Sequence, residues 1–352
     1  MTNKLQAYFP MIRSREEVMA EIEHKPVLQN MFYGWTEERQ EEFLDFCTGV
    51  RGVKILYDFM SKEILNPETT PERVEELLSL LLKQKIKILE VLPNDNTRIA
   101  DESSLVIKDM VVELEDHSIV NLEIQKIGYK FPGERGACYS ADLLLRQYKR
   151  VRSRRKNKFS YKDIKDVYTI VLFEQSPKEF HDFPDTYLHY FEQTSDTGLE
   201  LNLLQKYLFV SLDMFREIQH NKGINIEGRR EAWLAFLSMD EPEAVIQVVE
   251  KYPDFRALYE QMYMVCRNIE EVMGMFSEEL RELDRNTVQL MIDEMQEELN
   301  QARKELEKKE KELKQKEKEA KQKEKEEKQK EEEAEAKYQQ ALARIRELEA
   351  KQ

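Results

Sequence analysis

A mixed α/β core with helical additions, ending in a long charged helix, is the fold that three stretches of this sequence predict. MVVELEDHSIVNLEIQK (110–126) places apolar and polar residues in alternation on either side of a turn-forming Asp116-His117-Ser118, the pattern of two short strands in a hairpin. VYTIVLF (167–173) is continuously apolar, as a strand covered on both faces is. From residue 304 the chain repeats KELEKKE, KELKQKE, KEAKQKE and KEEKQKE, a seven-residue period with helical charge spacing.

Residues 14–90 read as mostly helical, with Ser14 and Glu17 spaced as a capping box. Pro71 sits at the start of PERVEELLSLLLKQKI, whose leucines recur at helical spacing. IKILEVL (86–92) changes to strand composition and stops at the turn signal Pro93-Asn94-Asp95-Asn96. Strands are expected over 105–114 and 119–127, then a loop GYKFPGERG and an amphipathic helix ACYSADLLLRQYKRV. Further strands are expected near YLHYFEQ and KYLFVSLD, before a helical region containing REAWLAFLSM. This divides the chain into a helical region 1–84, a core 85–215, a helical region 216–295 and a charged helix or coiled coil 296–352.

Composition narrows the function. Of 352 residues, 36% are charged, and the formal net charge is −15. Residues 301–350 hold 16 basic and 15 acidic residues, so residues 1–300 carry a net −17. A wholly basic nucleic-acid surface is excluded, and any such contact comes from a local patch. Cys47, Cys138 and Cys266 lack metal or disulfide spacing, which reads as reduced thiols in a cytoplasmic protein. The N-terminal residues lack the apolar run of a signal peptide. The longest apolar runs fall far short of the roughly 20 residues that span a bilayer, so no membrane role is expected.

Strand parity isolates the candidate chemistry. Asn121, Glu123 and Gln125 share one face of their strand, and Asp109 enters the preceding strand an even step from Val111. Two carboxylates on neighbouring strands repel unless a cation lies between them. Mg²⁺ takes oxygen ligands and shares them with phosphate, so Asp109, Glu123 and the carbonyl of Ile124 are candidates for a half-shell, completed by water and a phosphate oxygen. Mn²⁺ is the alternative ion.

These residues resemble a known pattern. Asp109 followed by Glu123-Ile124-Gln125 is similar to the Asp…(Asp/Glu)-x-Lys signature of the PD-(D/E)XK nucleases. The likeness is closer to the Rpn-type recombination-promoting nucleases named as transposases, where the motif reads NxEIQ, here Asn121 to Gln125. Phe131, Arg135, Tyr139 and FSYKDIKDVYTIVLF match the residues downstream of the motif in that branch. The resemblance spans roughly residues 45–290. It implies a restriction-endonuclease-like fold and a metal-dependent DNA endonuclease with Asp109 and Glu123 on the metal. Gln125 stands where the superfamily has Lys; its amide carries no charge but can orient a water. Lys126 is turned to the opposite face by strand parity. An acid from an earlier helix, Asp58 or Glu63, often completes such sites. Arg135 and Tyr139 are expected at a phosphate or bracing the site. The rival is a non-catalytic DNA-binding or scaffold protein that keeps the fold.

RQYKRVRSRRKNKFSYK (146–162) carries nine Lys and Arg and no acid, interleaved with Tyr148, Phe159 and Tyr161. It reads either as a solvated helix end and loop or as a phosphate-contacting segment beside the site. In the second reading Arg152, Arg154, Arg155 and Lys156 supply sequence-independent DNA contact.

The tail is stabilised by charge. Eight Glu–Lys pairs at i, i+4, from Glu305/Lys309 to Glu326/Lys330, each add roughly 0.2–0.5 kcal/mol of helix stability. The line Leu299, Leu306, Leu313, Ala320, Glu327, Ala334, Ala341, Leu348 fails in its middle. The second line a coiled coil needs is Lys309, Lys316, Lys323, Lys330. A single helix is therefore favoured over a continuous coil, with pairing into a homodimer confined to its ends. An isolated 295–352 peptide is expected to be helical at low salt, to lose part of that helicity in molar salt, and to stay largely monomeric. Helicity rising with peptide concentration, in circular dichroism paired with sedimentation, would make the tail a dimerisation device instead.

Overall fold

Capping boxes decide where the first two helices begin. The computed structural model describes residues 3–92, 110–127 and 133–349. Helix α1 (Lys4–Tyr8) starts at a capping box of Asn3 with Gln6, and α2 (Arg15–His24) at the expected box of Ser14 with Glu17. Helix α3 (Pro26–Tyr33) and α4 (Glu37–Thr48) come next. Helix α4 ends on Gly49 at φ 70°, where a Cβ would meet Ile12 Cδ1 at 2.8 Å, so glycine is required there. Helix α5 spans Asp58–Ile64, and α6 (Pro71–Leu82) has its proline in the first turn.

Among the described residues six strands form one mixed sheet: β1 (Ile88–Val91), β2 (Met110–Leu114), β3 (Ile119–Ile127), β4 (Val167–Gln175), β5 (Leu188–Phe191) and β6 (Gln205–Ser211). Their spatial order is β1-β2-β3-β4-β6-β5. The β1–β2, β2–β3 and β5–β6 pairs are antiparallel, and β3–β4 and β4–β6 are parallel. A parallel pair cannot be closed by a tight turn; helix α7 (Gly133–Arg155) makes the crossover from β3 to β4. It begins four residues before the helix read from sequence, with Glu134 in its first turn, where a negative charge favours a helix N-terminus.

Side-chain alternation divides the sheet into two faces. Val120, Leu122 and Ile124 of β3, Ile170 and Leu172 of β4, and Leu208 and Val210 of β6 join the large core cluster. That cluster also buries α8 (Leu212–Asn221), α9 (Arg229–Ser238), α10 (Pro242–Lys251), α11 (Phe255–Val265) and the beginning of α12 (Ile269–Glu349). On the other face Ile119 and Val167 pack with Leu143 of α7, and Val171, Phe173 and Phe209 pack with Tyr139 of the same helix. Strand β4 is therefore buried on both sides, which explains its unbroken apolar sequence. The mixed sheet with helices on both faces agrees with the restriction-endonuclease-like fold. The strand expected over 105–114 is described from Met110 onward, and Asp109 and Phe131 lie outside the described residues.

The chain divides into two compact units, 1–283 and 284–352. In the second, the helix runs on to Glu349, and Leu299, Leu306, Leu313 and Tyr338 are exposed along it. Among the described residues no helix is long and apolar enough to cross a membrane.

One buried carboxylate ties the hairpin to α7. Glu113, 3% exposed on β2, accepts from Arg150 Nη2 at 2.7 Å and Arg154 Nη1 at 2.8 Å, and its Oε1 lies 2.8 Å from His117 Nδ1. His117 holds the turn at φ 68°, a conformation His tolerates better than most side chains. Burial pushes the Glu113 carboxyl up, but the hydrogen bonds of Arg154 and His117 and the charge of Arg150 outweigh it and hold the group below the ordinary range. Its stabilisation is therefore complete above the ordinary glutamate pKa of about 4.3 and is lost as pH falls through the lower, folded-state value. Glu113→Gln is expected to cost about 1–3 kcal/mol at pH 7 and less near pH 3. Urea titrations at the two pH values check this, and an equal cost at both would refute it.

Candidate active site

Strand β3 occupies the middle of the sheet, and its odd positions turn toward α7. Asn121, Glu123 and Gln125 succeed one another there, all three buried with exposures of 2%, 0% and 0%. The parallel register sets Thr169 beside Asn121, Val171 beside Glu123 and Phe173 beside Gln125. The next strand continues those rows with Tyr207, Phe209 and Ser211. A line of polar side chains thus runs up one strand; beside it Val171, Phe173 and Phe209 are apolar, while Thr169 and Ser211 add hydroxyls.

Every oxygen on this face is a hard donor. Asn121 Oδ1 and Thr169 Oγ1, on adjacent strands, are buried with no hydrogen-bond partner among the described residues, and so is Ser211 Oγ. Buried polar atoms without partners are costly, and a carboxylate with amide and hydroxyl oxygens suits Mg²⁺ or Mn²⁺ rather than a thiolate-seeking metal. Among the described residues no group of three or more His, Cys, Asp or Glu is poised to hold an ion. Glu123 is the one predicted metal-binding carboxylate within them, since Asp109 lies outside. Ile124 sends its side chain into the core.

The remaining predicted residues separate into groups. Arg135 Nε donates to Tyr139 Oη at 2.8 Å and its guanidinium lies 5.3 Å from that ring's centre, so the two matched residues form one unit on the first turns of α7. Asp58 opens α5. Glu63, on the same helix, is exposed and accepts from Gln261 Nε2 at 2.7 Å. That helix buries Met60 and Ile64 in the large core cluster, on the face of the sheet away from Glu123.

The basic segment does not lie beside Glu123. Gln147 of α7 donates to the His117 carbonyl at 2.8 Å and accepts from Lys165 N at 3.0 Å, while Tyr139 packs near Phe173. Helix α7 therefore runs opposite to β3, and its basic end meets the hairpin. Glu113, which binds Arg154, is opposite Ile119, roughly 13 Å along β3 from Glu123 at 3.3 Å per residue. Arg154 is committed to that ion pair, Arg152 Nη1 donates to Tyr148 Oη at 2.5 Å, and Arg155 and Lys156 are exposed.

Sequence reasoning missed one polar cluster on the rim beyond β4 and β6. Ser176 donates from N and Oγ to Asp213 Oδ2 at 2.8 and 3.0 Å, and His181 Nε2 is 3.2 Å from Ser176 Oγ and 3.3 Å from Asp213 Oδ2. One ring nitrogen meets both partners, so no Ser–His–Asp relay exists; Asp213 caps the chain leaving β4. No local sequence signal marks residues 176, 181 and 213 as neighbours.

The family model described as PD-(D/E)XK nuclease family transposase matches residues 55–294, from just before α5 into α12. No curated protein and no solved structure matches the chain.

Lys126 shows what parity does to the residue beside the motif. It is buried on the other face, paired with Glu279 of α12 and 5.9 Å from the Tyr57 ring centre. Removing one member of a buried pair leaves an uncompensated charge, which costs about 3–5 kcal/mol. Lys126→Met and Glu279→Leu are each expected to destabilise by that amount, and the double variant to recover most of the loss. Denaturant titrations of the three variants check it; strictly additive losses would contradict the pairing.

Proposed function

We propose that this chain, which belongs to the PD-(D/E)XK nuclease family of transposases, is a metal-dependent DNA endonuclease. The observation that carries the proposal is the burial of Asn121, Glu123 and Gln125 in one line on the central strand, within the motif that marks this family. Oxygen donors of this kind fit Mg²⁺, which binds through one or two carboxylates and keeps several waters. Glu123 is the binding carboxylate, with Asp109 assigned beside it from the sequence pattern and the Ile124 carbonyl as a further ligand.

When bound, the ion supplies charge neutralisation at the phosphate and a lowered pKa for the attacking water. Gln125 orients that water through its amide, donating or accepting without adding charge. The coupled Arg135 and Tyr139, beside Phe173 and so near Gln125, meet a DNA phosphate, since a guanidinium binds two oxygens at once. Exposed Arg155 and Lys156, with Arg152, contact the backbone of DNA extending along α7. A cytoplasmic location completes the proposal.

One observation favours a second reading, a DNA-binding or scaffold protein without catalysis. Gln125 occupies the lysine position, and the adjacent Lys126 is engaged with Glu279 on the opposite face, so the neighbour does not replace the missing cation.

Nicking of supercoiled plasmid decides between the readings. Purified protein is expected to nick with Mg²⁺ or Mn²⁺ and not with EDTA. Asp109→Ala and Glu123→Ala should each abolish nicking while the protein stays folded, and Gln125→Ala should slow it less completely. Unchanged nicking by Glu123→Ala would sink the assignment of the site.

A further inference from the structure

Three aromatic rings gather where α7 ends. Tyr148 and Tyr161 are stacked with 8° between their planes and 6.1 Å between centres. Phe159 stands edge-on to both, at 5.6 and 5.3 Å. The Arg152 guanidinium lies 5.7 Å from the centre of the Tyr148 ring.

The backbone is built to hold this arrangement. Helix α7 stops at Arg155, and Lys156 then takes a left-handed φ of 46°, a conformation that costs a non-glycine residue about 1–2 kcal/mol. That reversal folds Phe159 and Tyr161 back against Tyr148. Ser160 and Asp163 cap the 3-10 turn Tyr161–Asp163 reciprocally. Ile164 is buried behind it, and Lys165 N is held by Gln147. Yet Tyr161 is 73% exposed. A ring placed for internal packing would be covered; here a strained turn and a cap hold it in solvent.

We infer that Tyr161, backed by Tyr148 and Phe159, is a stacking platform for an unpaired DNA base, with the surrounding cations holding that strand's phosphates. The inference rests on the DNA-cleaving reading above and extends it to single-stranded segments. Arg152, Arg155, Lys156, Lys158 and Lys162 are exposed around the rings, and residues 146–162 contain no acid in a body that is otherwise strongly acidic. A flat aromatic face among cations takes nucleotides by stacking and phosphate contact together. Paired bases are occluded by their own neighbours in the duplex, so the partner is unpaired. The platform lies at the hairpin end of the sheet, away from Glu123.

The test uses the full-length protein in EDTA, so that nothing is cut. Fluorescence anisotropy measures binding to a labelled oligo(dT), to an abasic strand of the same length and to a duplex. Tyr161→Ala is expected to weaken oligo(dT) binding about tenfold while leaving the abasic strand and the duplex within about twofold. Tyr161→Phe should retain wild-type affinity, and thermal melting should report the same fold for both variants. An equal loss on all three DNAs, no loss on oligo(dT), or a Phe variant as weak as the Ala variant would overturn the platform. Plasmid nicking is measured separately. Nicking without an effect of Tyr161 on oligo(dT) overturns the platform alone; the effect without nicking overturns the endonuclease reading alone.

Discussion

The two-residue period of β3 is the constraint on which the rest of this structure depends. A strand at the centre of a sheet covered on both faces has no solvent side, so every side chain must find a buried environment. Val120, Leu122 and Ile124 meet the apolar core. Asn121, Glu123 and Gln125 are forced together on the other face. Lys126, one step beyond Gln125, falls on the core side and is kept there by Glu279. Slipping the strand by one residue would exchange both sets, burying Glu123 among leucines and turning Leu122 toward α7. Register and chemistry are therefore one constraint.

Helix α7 converts that strand into a covered site and carries charge along its length. Its beginning presents Arg135 and Tyr139 as a hydrogen-bonded pair, its middle buries Leu143 and Gln147 against the sheet, and its end delivers Arg150 and Arg154 to Glu113. The last contact changes the meaning of a basic run. Part of that positive charge is used inside the protein on a buried carboxylate, and part remains exposed beyond Arg154. Basic residues in a sequence segment are thus not equivalent, because partners from another strand select among them.

Much of the fold is legible in the chain itself. The Ser14–Glu17 box, Pro71 at a helix start, the hairpin turn at His117 and the continuously apolar β4 are local signals with local causes, and each appears in the structure. The α7 boundary is less legible, since its first residues GERG carry a loop-like composition and Glu134 acts only through the helix end it stabilises. Glu63 shows the limit at the site: its sequence position is compatible with an acid from an earlier helix, but α5 turns Met60 and Ile64 into the core and leaves Glu63 with Gln261.

By itself the sequence determined periodicities: which residues share a strand face, where helices start, and that Asn121, Glu123 and Gln125 point together. These arise from bond geometry and neighbours a few positions apart. Only tertiary structure decided what each face meets. The burial of Glu113 by Arg150 and Arg154, the pairing of Lys126 with Glu279, the three-ring stack on Tyr148 and the direction of α7 all join residues far apart in the chain or across a reversal. Such contacts depend on which elements pack together, and no local spacing encodes that.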